Sequence, residues 1–228
     1  MGSLVAASAF FLLIHIGVSA TRWRDTLVAR MGEGPYRGAF SLASLVGLFW
    51  MGRAYSHAPS IELWGQHLAL RPAVFVVVFV AALFVVIGLA SPSPTSIRME
   101  GGLKEGAVAV RGITRITRHP FLWGVALWAL AHLAINGDLA SLILFGSLLL
   151  LALFGTTLID DKRRRRFGSR WQQFAASTSN VPFAAIAAGR NQLAPALGEI
   201  GLLRAAIAVI VYVLLFVLHG PVIGAPLR

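Results

Sequence analysis

Six stretches of this chain, at about 4–20, 38–56, 72–91, 120–135, 139–159 and 202–219, are apolar over lengths that reach or approach the roughly 17 to 25 residues a helix needs to cross a bilayer. This feature predicts an all-α, polytopic bundle of about six spans. Only 13% of the residues are charged and the mean hydropathy is +0.76, which excludes an ordinary soluble globule. The spans and their short loops consume the 228 residues, leaving one membrane domain over 1–228 and no room for a second, soluble one. Cysteine is absent, so disulfides, thiolate metal sites and a cysteine nucleophile are excluded, and any metal chemistry falls to His, Asp and Glu.

The formal charge of +11 raises the question of nucleic acid, and the placement of the charge answers it. With the N-terminus outside, 17 of the 20 basic residues fall on the inner side, and only Arg53, Arg71 and Arg228 stay outside. The inner set runs from Arg22, Arg24, Arg30 and Arg37, through Arg98, Lys104, Arg111, Arg115 and Arg118, to Lys162–Arg166, Arg170, Arg190 and Arg204. The positive-inside rule therefore places both termini outside and the long loops in the cytoplasm. The charge sets topology, and no nucleic-acid partner is needed. Val18-Ser19-Ala20 resembles a signal-peptidase site, but the arginines follow the apolar run, which reads as an uncleaved anchor.

Between spans four and five, Asn136-Gly137-Asp138 can end one helix with Gly and cap the next with Asp, giving a tight antiparallel hairpin. Gly32-Glu33-Gly34-Pro35, the stretch 92–106 and the Ala-rich 175–196 read as loops or interfacial pieces. Arg163–Arg166 with Phe167, Trp171 and Phe174 reads as a surface segment, basic groups on anionic lipid headgroups and aromatics dipping into the interface, or as a solvated flank.

A polar side chain inside a span costs a few kcal/mol unless it has a partner or a function, which singles out His15 and His132. Two helices can offer one imidazole each to opposite faces of a porphyrin, and the small residues Gly17, Gly124, Ala129 and Ala131 would let a flat macrocycle approach. Their depths differ by roughly 10 Å, too far for direct contact and suited to a tilted haem. The alternative is that each histidine hydrogen-bonds a neighbouring helix, as His132 could with Asn136. His119, in Arg118-His119-Pro120, stands about 20 Å from His132 along one helix, so it belongs to another site or a cap. His57, His67 and His219 lie toward the outer side. Asp160-Asp161 facing four arginines reads as a salt-bridged flank, and no hydrolase or nucleotide-binding motif is present.

The run Arg118-His119-Pro120-Phe121-Leu122-Trp123-Gly124, continuing through Leu127-Trp128-Ala129-Leu130-Ala131-His132 to Asn136-Gly137-Asp138, resembles the signature of the NnrU family of membrane proteins. His15 with Arg22 and Arg24, and the segment Asp160–Arg166, agree in place. The resemblance implies a multi-pass protein of the bacterial inner membrane, in contact with lipid, associated with denitrification and nitric oxide metabolism. It also implies kinship with the 15-cis-zeta-carotene isomerases, which hold a haem b and isomerise a double bond of a polyene. Their axial histidines correspond to His15 and His132 here, implying haem b as cofactor and a hydrophobic small molecule or nitric oxide as ligand. The isomerases carry a cysteine near the second axial histidine, and this chain has none.

A more distant resemblance is to the isoprenylcysteine and phospholipid methyltransferases, carried by Arg118-His119-Pro120, Asp160-Asp161, Phe167-Gly168, Trp171, Phe174 and Val181-Pro182. It implies an S-adenosylmethionine site at His119 and Asp160, with Asp where Glu is expected. A third reading is a non-enzymatic assembly factor that binds a nitrogen-oxide reductase complex.

Overall fold

The computed structural model describes residues 1–95 and 110–224. Arg98, Lys104 and Arg228, read above as topogenic charges, and the part of the 92–106 loop beyond Thr95, lie outside the described residues. The described chain is all-helical. All six apolar stretches coincide with helices, and four helices are both long and apolar enough to cross a membrane: Gly2–Ser19, Leu68–Ala90, Leu139–Phe167 and Leu202–Val222. The other two are Glu33–Ser56, which carries Glu33, Arg37 and Arg53, and the shorter apolar helix Pro120–Asn136.

The chain divides into two compact units. The first comprises Met1–Val74 and Ala129–Leu158. Helix α1 (Gly2–Leu12) runs on as a π-helix over Leu13–Ser19. Thr21 then accepts a hydrogen bond from the Trp23 amide and caps α2 (Arg22–Met31). Gly32, at φ 87°, breaks the chain, and α3 (Glu33–Ser56) starts at once, with Pro35 tolerated in the first turn where its missing N–H has no helical partner to lose. The expected loop over Gly32–Pro35 is thus a one-residue break, because Gly32 alone supplies the left-handed turn. Close packing of α1 on α3 depends on Gly47: a Cβ there would stand 3.1 Å from Phe11 and 3.2 Å from Phe10.

The helices α6 (Pro120–Asn136) and α7 (Leu139–Phe167) form the expected hairpin. Gly137 takes φ 64°, and Asp138 caps α7 by accepting from the Ser141 amide at 2.9 Å and the Ser141 hydroxyl at 2.6 Å. The loop after α3 docks on this turn. The amides of Leu63, Trp64 and Gly65 all donate to the Gly137 carbonyl, and the Leu139 amide donates to Ile61. This satisfies backbone groups at the helix ends that have no intrahelical partner.

The second unit comprises Phe75–Trp128 and Ile159–Arg228. Within it α4 (Arg71–Ala90) packs against α6 through glycines: a Cβ on Gly124 would stand 2.6 Å from Val85 and 2.8 Å from the Ala81 carbonyl. The short helix α5 (Ile113–Ile116) and the later helices α8 (Ser169–Ser177), α9 (Ala184–Ala187), α10 (Leu193–Ile200) and α11 (Leu202–Leu218) follow. Phe84, Ile87, Ile113, Ile116, Ala196, Ile200 and Ala208 form its core. Glu199 fastens α10 to the α5 turn, accepting from the Gly112 amide and from Arg115, which hold its carboxyl down at about 2.

The aromatics after the arginine run do not dip into an interface. Trp171 and Phe174 are each 2% exposed and form a buried cluster with Val110 and Phe167. The amphipathic period of α8 turns this face toward protein, since a tryptophan removes more apolar surface from water when covered on all sides.

Gly137→Ala forces an L side chain into left-handed backbone with its Cβ 2.0 Å from the Gly65 carbonyl. It should destabilise the fold by about 1 to 3 kcal/mol or more. Gly146→Ala, mid-helix with only Leu142 at 3.9 Å, should be neutral or slightly stabilising. Thermal aggregation of the detergent-solubilised variants checks the contrast.

Candidate functional site

In the second unit, Arg118, His119 and Asp160 converge although 42 positions separate the first from the last. The segment before α6 is pinned on both sides. The Arg118 amide donates to the Ser179 carbonyl at 2.9 Å, Thr95 donates to the Arg118 carbonyl at 2.5 Å, and Thr117 donates to the Asn180 carbonyl at 2.5 Å. Pro120 then opens α6, so His119 sits at the mouth of the helix with its amide bonded to the Thr117 hydroxyl. His119 is 1% exposed.

Asp160, on α7, holds both neighbours. Its carboxylate accepts from Arg118 Nε at 2.9 and 3.1 Å and from the Arg118 guanidinium again, and from His119 Nε2 at 2.6 Å. The Arg118 guanidinium also lies 5.9 Å over the Trp171 ring. The expectation that Asp160-Asp161 form one salt-bridged flank is therefore half met. Asp161 reaches Arg164 one turn on at 3.3 Å, whereas Asp160 turns inward to the Arg-His-Pro segment.

With Nε2–H committed to Asp160, neutral His119 presents Nδ1 as a lone pair, and this buried atom has no hydrogen-bond partner among the described residues. Burial pushes the His119 pKa below its usual 6.5. Asp160 pulls it up, and the positive charges of Arg118 and Arg163 add to the depression.

His15 and His132 belong to the first unit and His119 to the second. His15 sits within the π-helical continuation of α1, a wound-open geometry that recurs at functional sites. Its Nδ1–H donates to the Phe11 carbonyl at 2.8 Å, which fixes the tautomer and leaves the lone pair on Nε2. The ring contacts Phe11 at 4.3 Å and Phe40 at 5.1 Å. His132 lies flat on Phe145, at 4.7 Å and 29°, and Tyr55 meets the same phenylalanine edge-on at 5.9 Å. The two histidines thus share a unit and rest on different aromatic neighbours. His57 is engaged locally by Arg53 and Ser56. Among the described residues no group of three or more His, Cys, Asp or Glu is placed to hold a metal ion.

Three of the four small residues expected to clear space for a macrocycle are packed against protein. Gly124 is filled by α4, and Ala129 and Ala131 are buried within the protein. Missed by sequence reasoning was Tyr36, buried beside Phe40, because nothing in the order of residues distinguishes it from a core tyrosine.

The family model described as NnrU protein matches residues 3–227. Among curated proteins the chain is similar to the chloroplastic 15-cis-zeta-carotene isomerase of Arabidopsis thaliana, 27% identical over 190 residues, which cover 80% of this chain and 50% of that protein. It is also similar to the isomerase of the same name from Zea mays, 34% identical over 82 residues, covering 36% of this chain and 22% of that one. The chain thus spans half or less of the relatives it matches. No solved structure matches it.

Because the His119 pKa is depressed in the folded state, unfolding takes up a proton below the ordinary value. The stability from neutral burial is present above about pH 6.5 and is lost as pH falls toward the folded pKa. Midpoints of chemical unfolding measured from pH 7.5 to 5 should decline, and His119→Gln should flatten that decline.

Proposed function

Because the chain belongs to the NnrU family, we propose that it is a multi-pass membrane protein that holds haem b between His15 and His132 and isomerises a double bond of an apolar polyene. The observation that carries the reading is the His15 hydrogen bond: a membrane-depth imidazole whose Nδ1–H is tied to a backbone carbonyl offers Nε2 as a ready ligand. The donor set fits. Neutral imidazoles suit haem iron, His132 is the second histidine of an apolar span in the same unit, and aromatic side chains pack against each ring.

When bound, haem iron supplies an electrophilic centre that weakens a π bond so that it can rotate. The protein's own residues orient and exclude. His15, anchored to its helix by the Phe11 carbonyl, and His132 would hold the group, and no thiolate would take part because the chain has no cysteine. The apolar spans favour a substrate that arrives from lipid. The basic-residue asymmetry supports both termini outside.

Purified in mild detergent, the protein should show a Soret band and about one haem b per chain by pyridine haemochrome. His15→Ala and His132→Ala should each abolish the band. Haem retained by both variants overturns the assignment.

A second reading attaches to the other unit, favoured by the open Nδ1 of His119 beside Asp160: S-adenosylmethionine bound at the Arg-His-Pro segment. Calorimetry with S-adenosylhomocysteine should then show binding that Asp160→Asn removes and His15→Ala does not. Absence of heat at millimolar ligand eliminates it.

A further inference from the structure

The first unit buries a second group that its own chemistry leaves unfinished. Tyr36, in the first turns of α3, is 6% exposed, and its hydroxyl is buried with no hydrogen-bond partner among the described residues. A phenol in that state forfeits about 1 to 3 kcal/mol, so its acceptor is the thing to identify. Three observations identify it.

The first is place. The Tyr36 ring stacks on Phe40 at 6.1 Å, and Phe40 meets the His15 ring at 5.1 Å, so one phenylalanine touches both. The second is charge. The Arg24 guanidinium lies 5.5 Å over the Tyr36 ring, its side chain only 14% exposed, and it is steadied by Glu33, which also accepts from Arg37. The third is depth. His15 lies in the apolar span, whereas Arg24 and Tyr36 belong to the helices that begin where that span ends. A ligand reaching from His15 to Tyr36 therefore passes from hydrocarbon to the membrane surface.

A porphyrin matches this gradient, being a flat apolar plate with iron at its centre and two carboxylates on one edge. Resting on the reading that His15 takes the iron, we propose that Tyr36 and Arg24 seat the carboxylate edge of that haem. The Tyr36 O–H donates to a carboxylate oxygen, and the Arg24 guanidinium supplies the opposite charge next to it. The acidic edge then points to the surface where α2 and α3 start, and the carbon-rich edge lies in the span. Glu33 keeps Arg24 over the phenol rather than turned to solvent.

The test uses the full chain with bound haem and follows haem transfer to excess apomyoglobin. Tyr36→Phe keeps the ring, its stacking on Phe40 and the cation over its face, and removes the donor alone. The transfer rate should rise about tenfold or more, as loss of a hydrogen bond to a charged group implies, with the Soret position unchanged. Arg24→Gln should act in the same direction. Reconstitution with haem dimethyl ester, which lacks the carboxylates, supplies the control: the wild-type protein should lose the ester quickly, and Tyr36→Phe should make no further difference. Equal haem transfer rates for wild type and Tyr36→Phe, or an effect that persists with the ester, overturns the seat while leaving the iron ligands standing. A wild-type protein that takes up no haem overturns the ligand reading and the seat together.

Discussion

A backbone amide in hydrocarbon has no water to bond to, so each transmembrane segment must satisfy its own N–H and C=O groups, and the polar accounts of the chain are settled where helices end. The turn at Gly137 does this for the first unit, one carbonyl taking three amides from the loop after α3 while Asp138 caps the helix that follows. The carboxylates of Glu199 and Asp160 do it for the second, tying the segments before α6 to later helices. These junctions need glycine where backbones must approach, at Gly137 most of all, and a carboxylate where backbone alone does not suffice.

Asp160 is the most demanding of these contacts. Burying a carboxylate with a guanidinium and an imidazole carries a desolvation cost that the attraction between them roughly offsets, and a packed apolar trio would hold the chain about as well. Stability alone therefore does not account for the arrangement. What it adds is a neutral imidazole with one nitrogen fixed and the other unsatisfied. Tyr36 repeats the pattern in the other unit, a buried hydroxyl without an acceptor. Departures from polar satisfaction concentrate at functional sites; of these two, one is an atom of His119 itself and the other lies one phenylalanine away from His15.

The apolar runs made the helical fold legible because bilayer thickness is a length that sequence can be measured against. Asn136-Gly137-Asp138 was legible for a similar reason, the cap and the left-handed glycine being local chemistry. The start of α3 was not, since glycine and proline in Gly32–Pro35 resemble a loop, and only the fold separates the residue that breaks the chain from the one that tolerates a first turn. Trp171 and Phe174 were expected at a lipid interface and are covered by protein, because an apolar side chain shows that it seeks cover and not what covers it. The partner of Asp160 was ambiguous between adjacent arginines and a segment 42 residues away, a choice set by tertiary packing. Tyr36 carried no sequence signal, since an unsatisfied hydroxyl is a property of its surroundings.

The two imidazoles that matter present opposite nitrogens, and the difference bears on what each can do. His119 gives Nε2–H to a carboxylate, which enriches the ring in electron density and makes the open Nδ1 a strong acceptor of hydrogen bonds. His15 gives Nδ1–H to a backbone carbonyl, a weaker acceptor, so the lone pair on Nε2 stays that of an ordinary imidazole. A ligand of that kind binds iron without the electron push that a carboxylate partner would transmit through the ring. For chemistry that requires iron to accept electron density from a double bond, a moderate axial donor is the suitable one. On the proposed reading, the carboxylate-backed ring of His119 would suit that role less well than His15. The two histidines thus differ in the group that fixes the tautomer, a backbone carbonyl for His15 in one unit and a carboxylate for His119 in the other.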